Sequence, residues 1–224
     1  MNIRKIIQEK KRLCLERAEQ LLIQGVKIRD PERIDIRGEL ICGKNVEIDL
    51  NVIIEGQVVL GDNVHIGANC ILKNALIKAG CTVHPYSMIE DAELGQNSFV
   101  GPYGRIRPGS KLEDNVQIGN FVEIKQAKIG AGCRINHLSF VGDANLSRNV
   151  TIGAGTITCN YSKGKVHNTQ IEADAFIGSG CNLIAPVKIG KKAVIGAGST
   201  ITRNVDENTL TLARAKQVDV KKLK

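Results

Sequence analysis

Two cations share one setting in this chain. Arg107 directly follows Ile106, Lys125 directly follows Ile124, and 18 residues separate them. If the backbone returns on itself at that interval, the two lie on adjacent coils about 5 Å apart. Stacked like charges are unfavourable without an anion between them. The residues alone leave two readings open. Two long side chains could splay into water. Alternatively, Arg107 could fork onto phosphate oxygens while Lys125 adds a point charge. A second set starts at His137, two residues after Ile135. The same offset after Ile152, Ile177 and Ile195 holds Ala154, Ser179 and Ala197. A histidine at the foot of a column of small residues suits a long thin ligand arm, since three coil steps cover about 14 Å. A lone histidine is usually structural. Beside a cation column, a neutral imidazole is suited to take a proton from an amine or hydroxyl nucleophile.

Other reactive side chains point to less. The seven cysteines form no C-x-x-C pair, so neither a zinc ribbon nor a secreted disulfide framework fits, and a reducing, cytoplasmic setting is expected. His65, His84, His137 and His167 occupy unlike offsets in the repeat, which leaves a three-histidine metal site unsupported; no metal is expected.

The element that must position these residues is a repeat of six. Aliphatic residues fall at Ile48, Ile54, Leu60, Ile66 and Leu72, at Ile77, Val83 and Ile89, and at Leu94, Val100, Ile106, Leu112, Ile118 and Ile124. The series continues through Ile129, Ile135, Val141, Leu146 and Ile152, then resumes from Ile171 to Ile201. A helix needs a period of 3.6, and a hairpin meander would not hold six. Three six-residue faces make a coil of 18, and five-residue steps such as Leu72 to Ile77 all fall at the third face. Between Thr158 and Ile171 the lattice requires an inserted loop of roughly seven residues. Cys70, Cys81, Cys133 and Cys181 each stand four residues after a repeat aliphatic, an inward position suited to a small apolar group.

Composition agrees with a solenoid. Aromatic residues are 3% of the chain, with no Trp, and glycines number 23, so the core must come from Ile, Val, Leu and small residues. Few rings also disfavour a stacking platform for single-stranded nucleic acid. The formal net charge of +8 allows an acidic partner, but nucleic-acid binding would rest on charge alone and is not expected. No apolar run could span a membrane. Residues 1–25 differ, with Ile3, Ile6, Ile7, Leu13, Leu21 and Leu22 near helical spacing and Gly25 as a stop. The expected organisation is a linker-like helix over 1–25, a solenoid over 26–205 and a basic tail over 206–224.

These repeats resemble those of the hexapeptide-repeat acyltransferases. The resemblance implies an all-β fold, a left-handed parallel β-helix with an N-terminal α-helix; the handedness comes from the family and not from the period. More narrowly, the segments "RIRPG", "IGNFVEIK", "VGDA", "IGAGTITCNY" and "AGSTITRNV" are similar to the acetyltransferase half of the bacterial bifunctional N-acetylglucosamine-1-phosphate uridyltransferase/glucosamine-1-phosphate acetyltransferases. The likeness runs from about residue 16 to 217, and the nucleotide loop of the uridyltransferase half is absent from the sequence. By this resemblance His137 matches the catalytic base, Arg107 and Lys125 the sugar-phosphate ligands, and Asn160 and Tyr161 further acceptor residues. Ala154, Ser179 and Ala197 match contacts to acetyl-coenzyme A, and Arg214 a basic residue that helps hold this donor. Phe140 stands where the family usually has Tyr, Thr151 where it has Asn, and Ser162 and Lys163 where it has Asp-Gly. All three departures fall on the acceptor side. The implied partners are an amino-sugar phosphate, acetyl-coenzyme A and two further copies of the chain in a homotrimer. Acetylation of a different amino-sugar phosphate or of a nucleotide sugar, or a non-catalytic trimeric β-helix scaffold, are the alternatives.

Overall fold

The computed structural model describes residues 3–220; residues 1–2 of the expected helical segment and 221–224 of the expected basic tail lie outside the described residues. Helix α1 spans Ile3–Ile23. It stops where expected: Gly25 takes a left-handed φ of 90°, Gly25 N–H donates to the Leu22 carbonyl and Val26 N–H to that of Leu21, each at 3.0 Å. This doubly bonded cap is the usual way a helix ends on glycine. Only the C-terminal part of α1 docks on the solenoid. Ala18 and Leu21 are buried, the Arg17 guanidinium donates to the Ile36 carbonyl at 2.9 Å, and the Cys14 thiol donates to that of Ile34 at 3.1 Å. Ile3, Ile7, Leu13 and Leu22, which the spacing offers as one apolar face, are exposed on this chain.

From Lys27 onward the chain winds as a parallel β-solenoid. Ile48 pairs with Ile66, Ile66 with Val83, Val100 with Ile118 and Ile118 with Ile135, one coil after another. One face is an 11-stranded sheet; the other two belong to one 16-stranded sheet. They are continuous because long strands turn the corner between them. Met88–Leu94 pairs with Arg105–Ile106 through its first residues and with Lys111–Leu112 through its last. The six-residue lattice is therefore the fold. Its aliphatic residues from Ile48 to Ile195 form one continuous core, and most of them are wholly buried.

The corners have a chemistry that the period does not reveal. Asn45, Asn51, Asn63 and Asn69 take left-handed φ between 54° and 61°. Asn tolerates this conformation better than other side chains that carry a Cβ. Their amides then bond coil to coil, Asn45 to Asn63 at 3.2 Å and Asn51 to Asn69 at 3.0 Å. The inward fourth position is polar as well as small. Cys70, Cys81, Cys133 and Cys181 are wholly buried, and the thiols of Cys81 and Cys133 donate to the Gly95 and Ser147 carbonyls of the next coil at 2.9 and 3.0 Å. All seven cysteines are free.

The inserted loop leaves the lattice where expected. It folds as a hairpin in which Tyr161–Ser162 pairs antiparallel with Lys165–Val166 across Lys163 and Gly164. After it, Thr169–Ile171 rejoins the sheet beside Ala144–Leu146. The chain beyond residue 205 still contributes to the solenoid, since Leu210–Thr211 pairs with Val194–Ile195.

Candidate active site

The two cations are stacked as their spacing requires. Ile106 pairs with Ile124, and Arg107 N–H donates to the Ile124 carbonyl at 2.8 Å. The repulsion is relieved within the chain. The Arg107 guanidinium pairs with Glu123 at 2.7 Å, and Lys125 Nζ lies 3.6 Å from Asp143 Oδ2. Neither carboxylate was expected at the site. Asp143 also accepts a hydrogen bond from the Asn160 amide, while its backbone carbonyl accepts from the Asn168 amide at 2.8 Å and Thr169 N–H at 3.1 Å. Asp143 thus ties both ends of the hairpin loop to the strand bearing Lys125. Its side chain is 17% exposed, against 32% for Lys125.

Phe140 lies in the same neighbourhood. It pairs with Glu123 on one side and Ile157 on the other. Its ring lies across Gly142, where a Cβ would sit 2.7 Å from Phe140 Cε1 and 3.1 Å from the Asn160 amide nitrogen. Arg107, Lys125, Phe140 and Asn160 are therefore brought together on one sheet. Tyr161, by contrast, is exposed at the start of the hairpin. Thr151 is not brought to this group within the chain; it stands on the 11-stranded sheet between Arg134 and Phe176.

His137 closes the strand Arg134–His137. Its Nδ1 lies 2.6 Å from Asn120 Oδ1 on the preceding coil. Both residues line a cleft of about 460 Å³ with Phe99, Pro102, Tyr103 and Phe121. At the adjoining corner Tyr86, Tyr103 and Phe121 stack ring on ring, centroids 5.0 and 5.1 Å apart, and all three are about half exposed; Leu138 beyond them is more exposed still. This ladder was not expected from a chain so poor in aromatics.

Beyond His137 the corner changes from bulky to bare. The positions after Ala154, Ser179 and Ala197 are Gly155, Gly180 and Gly198, and a Cβ at Gly180 or Gly198 would meet nothing within 4 Å. The backbone beside them is regular: Gly155 N–H donates to the His137 carbonyl at 3.1 Å, Gly180 N–H to Ala154 at 2.7 Å, and Gly198 N–H to Ser179 at 2.8 Å. The last rung is filled by a side chain, with the Arg214 guanidinium donating to the Ala197 carbonyl at 2.9 Å. His137, Ala154, Ser179, Ala197 and Arg214 thus form one line along the prism, beside an open strip about three coils long. Among the described residues no group of three or more His, Cys, Asp or Glu is placed to hold a metal, and no helix is long and apolar enough to cross a membrane.

Solenoid, repeat and line of small residues define a class. Residues 168–203 match the bacterial transferase hexapeptide family (six repeats), and residues 36–129 match the GMPPB C-terminal domain. Over residues 168–203 the chain is similar to the hexapeptide-repeat transferases. Within that class it is similar to the proteins called bifunctional protein GlmU. The relative from Nitrosomonas eutropha is 57% identical over 212 residues, covering 92% of this chain and 46% of its own length. That from Acinetobacter baylyi is 53% identical, covering 92% and 45%. The chain thus spans a little under half the length of these relatives. A solved perosamine N-acetyltransferase from Caulobacter crescentus is 21% identical over 61% of this chain and 53% of its own, with a TM-score of 0.43.

Proposed function

We propose that the protein is an acetyl-coenzyme A-dependent N-acetyltransferase that converts glucosamine 1-phosphate to N-acetylglucosamine 1-phosphate, a precursor of UDP-N-acetylglucosamine. The observation that carries the reading is the line from His137 along Ala154, Ser179 and Ala197 to the bare strip capped by Arg214, on a chain that also stacks Arg107 over Lys125. The phosphate of the acceptor faces Arg107 and Lys125, and Asn160 and Phe140 border the sugar. The thin arm of the donor lies along Ala154, Ser179 and Ala197, with Arg214 at its far end. His137 takes a proton from the sugar amine as its nitrogen attacks the thioester carbonyl. The N–C bond forms, the C–S bond breaks, and His137 returns the proton to the departing sulfur, so that coenzyme A leaves as the thiol. An amine is already a good nucleophile, so no covalent enzyme intermediate is needed.

The active species on this reading is a homotrimer with its sites between subunits. The exposed ladder of Tyr86, Tyr103, Phe121 and Leu138 beside His137 supports this, because so continuous an apolar edge on a soluble chain marks a contact surface. Thr151, which stands apart from the acceptor group within one chain, would then face a site shared with a second copy. A related reading is favoured by Phe140, Thr151 and the Ser162–Lys163 turn: the same chemistry on a different amino-sugar phosphate. The test is coenzyme A release from acetyl-coenzyme A across a panel of amino sugars with and without phosphate. Turnover fastest with glucosamine 1-phosphate supports the first reading, and a different best acceptor the second. No release with any acceptor would leave a scaffold.

A further inference from the structure

We infer that Asn120 is a positioning residue for His137: its side-chain carbonyl holds the imidazole in the Nδ1–H tautomer and leaves Nε2 free to accept a proton. The inference deepens the reading of His137 as general base and rests on it. The juxtaposition is set by the backbone. Asn120 ends the strand Gln117–Asn120, His137 ends Arg134–His137, and the two are direct partners in the parallel ladder. Gly119 permits the approach, since a Cβ there would overlap the Asn136 carbonyl. The next residues, Phe121 and Leu138, both take left-handed φ, 56° and 49°, and Leu138 N–H donates to the Asn120 carbonyl at 3.1 Å. The two coils therefore turn this corner in parallel.

Within that frame Asn120 Oδ1 is 2.6 Å from His137 Nδ1. An amide oxygen carries no proton, so the bond forms only if Nδ1 bears one. In a neutral imidazole Nε2 is then the unprotonated nitrogen, the form a general base needs. The backbone near the ring is also held, because the His137 carbonyl accepts from Ser139 Oγ at 2.9 Å and from Gly155 N–H at 3.1 Å. The opposite tautomer would place a proton on Nε2 and block the step. Free histidine in water favours that opposite form, so the assignment makes a specific claim.

The experiment is nitrogen NMR of the full chain with ¹⁵N-labelled histidine, at a pH where the ring is neutral, with His137→Gln to assign its signals among the four histidines. The expected spectrum shows His137 protonated at Nδ1. Asn120→Ala should move the proton to Nε2, while Asn120→Asp, which keeps an oxygen at the site, should retain the native tautomer. Turnover of Asn120→Ala should fall about two- to tenfold, the factor one neutral hydrogen bond is worth, with KM for acetyl-coenzyme A unchanged. A wild-type His137 protonated at Nε2 would overturn the inference, whether or not the alanine variant folds. So would an unchanged tautomer in a folded Asn120→Ala. Full turnover in His137→Gln would instead defeat the reading of His137 as base and leave the tautomer result standing.

Discussion

Gly142→Ala tests the acceptor side of the site with a single methyl group. Gly142 is pinned twice, its N–H donating to Thr158 Oγ1 at 2.8 Å and its carbonyl accepting from the same hydroxyl at 3.0 Å. The backbone therefore cannot yield easily, and the new Cβ lies 2.7 Å from Phe140 Cε1, where ordinary contact begins at 3.4 Å. The ring must withdraw by about 1 Å at Cζ, its nearest atom, and the Asn160 amide by about 0.3 Å, to reach that separation. Overpacking of this kind typically costs about 1–3 kcal/mol. For a chain of this length each kcal/mol lowers Tm by about 2–4 °C. The kinetic effect should be larger. Displacing positioning groups by close to 1 Å costs up to about 10²-fold. Steady-state coenzyme A release should therefore show kcat/KM for glucosamine 1-phosphate down about ten- to a hundredfold. KM for acetyl-coenzyme A should stay within about twofold, since the line of Ala154, Ser179 and Ala197 shares no atom with this contact. Adding Phe140→Ala removes the obstructing ring, so the double variant should melt higher than the sum of the two single losses implies. Unchanged acceptor kinetics in a folded Gly142→Ala, or a loss confined to the donor, would refute the placement of Phe140 and Asn160 at the acceptor.

Other perturbations bear on the remaining parts. His137→Ala should lower kcat by about 10²–10⁴-fold with donor binding intact, checked by turnover and by calorimetry with coenzyme A. Lys125→Ala should weaken acceptor binding more than Arg107→Ala and also lower Tm more, because it strands Asp143, 17% exposed, where Arg107→Ala strands Glu123, 33% exposed. The double variant should be non-additive, since on the proposed reading the two cations serve one phosphate. Burial holds the thiols of Cys42, Cys70 and Cys133 up at about 11, from an ordinary 9.0. A group with a raised folded value adds stability that is complete below pH 9 and is lost as pH rises through about 11. Denaturant melts should therefore show stability falling across that window, with a smaller fall in a Cys70→Ser, Cys133→Ser variant.

The fold was legible because a solenoid writes its geometry into one dimension. Each aliphatic residue repeats at the interval at which the backbone returns, so Ile106 and Ile124 announce their pairing without any tertiary information. The same offset arithmetic placed Arg107 over Lys125 and laid Ala154, Ser179 and Ala197 in one line with His137. Even the inserted loop was visible, as the interval at which the lattice failed, though not its hairpin form. Helix α1 was less legible, because its apolar spacing does not say which residues meet the prism, and Leu13 and Leu22 remain exposed.

The missed residues divide by cause. Asn120 is legible in the sequence, since it stands two residues after Ile118, in the same offset as His137 one coil earlier. Glu123 and Asp143 are different. Glu123 sits at the offset before its repeat aliphatic and Arg107 at the offset after, so no single column contains the ion pair; it forms diagonally, between rungs. Asp143 joins Lys125 to Asn160 and Asn168, and Asn168 lies beyond an insertion that breaks the numbering of the lattice. Columns are legible in such a chain and diagonals are not. The consequence is electrostatic: read by columns, Arg107 over Lys125 is two bare positive charges. In the folded chain the clamp has two cations and two carboxylates, near neutrality before anything binds. On the proposed reading, an incoming phosphate must therefore compete with Glu123 and Asp143 for donors already engaged. Selectivity for the acceptor then depends on how well its phosphate replaces those two carboxylates as well as on the charge of the cations.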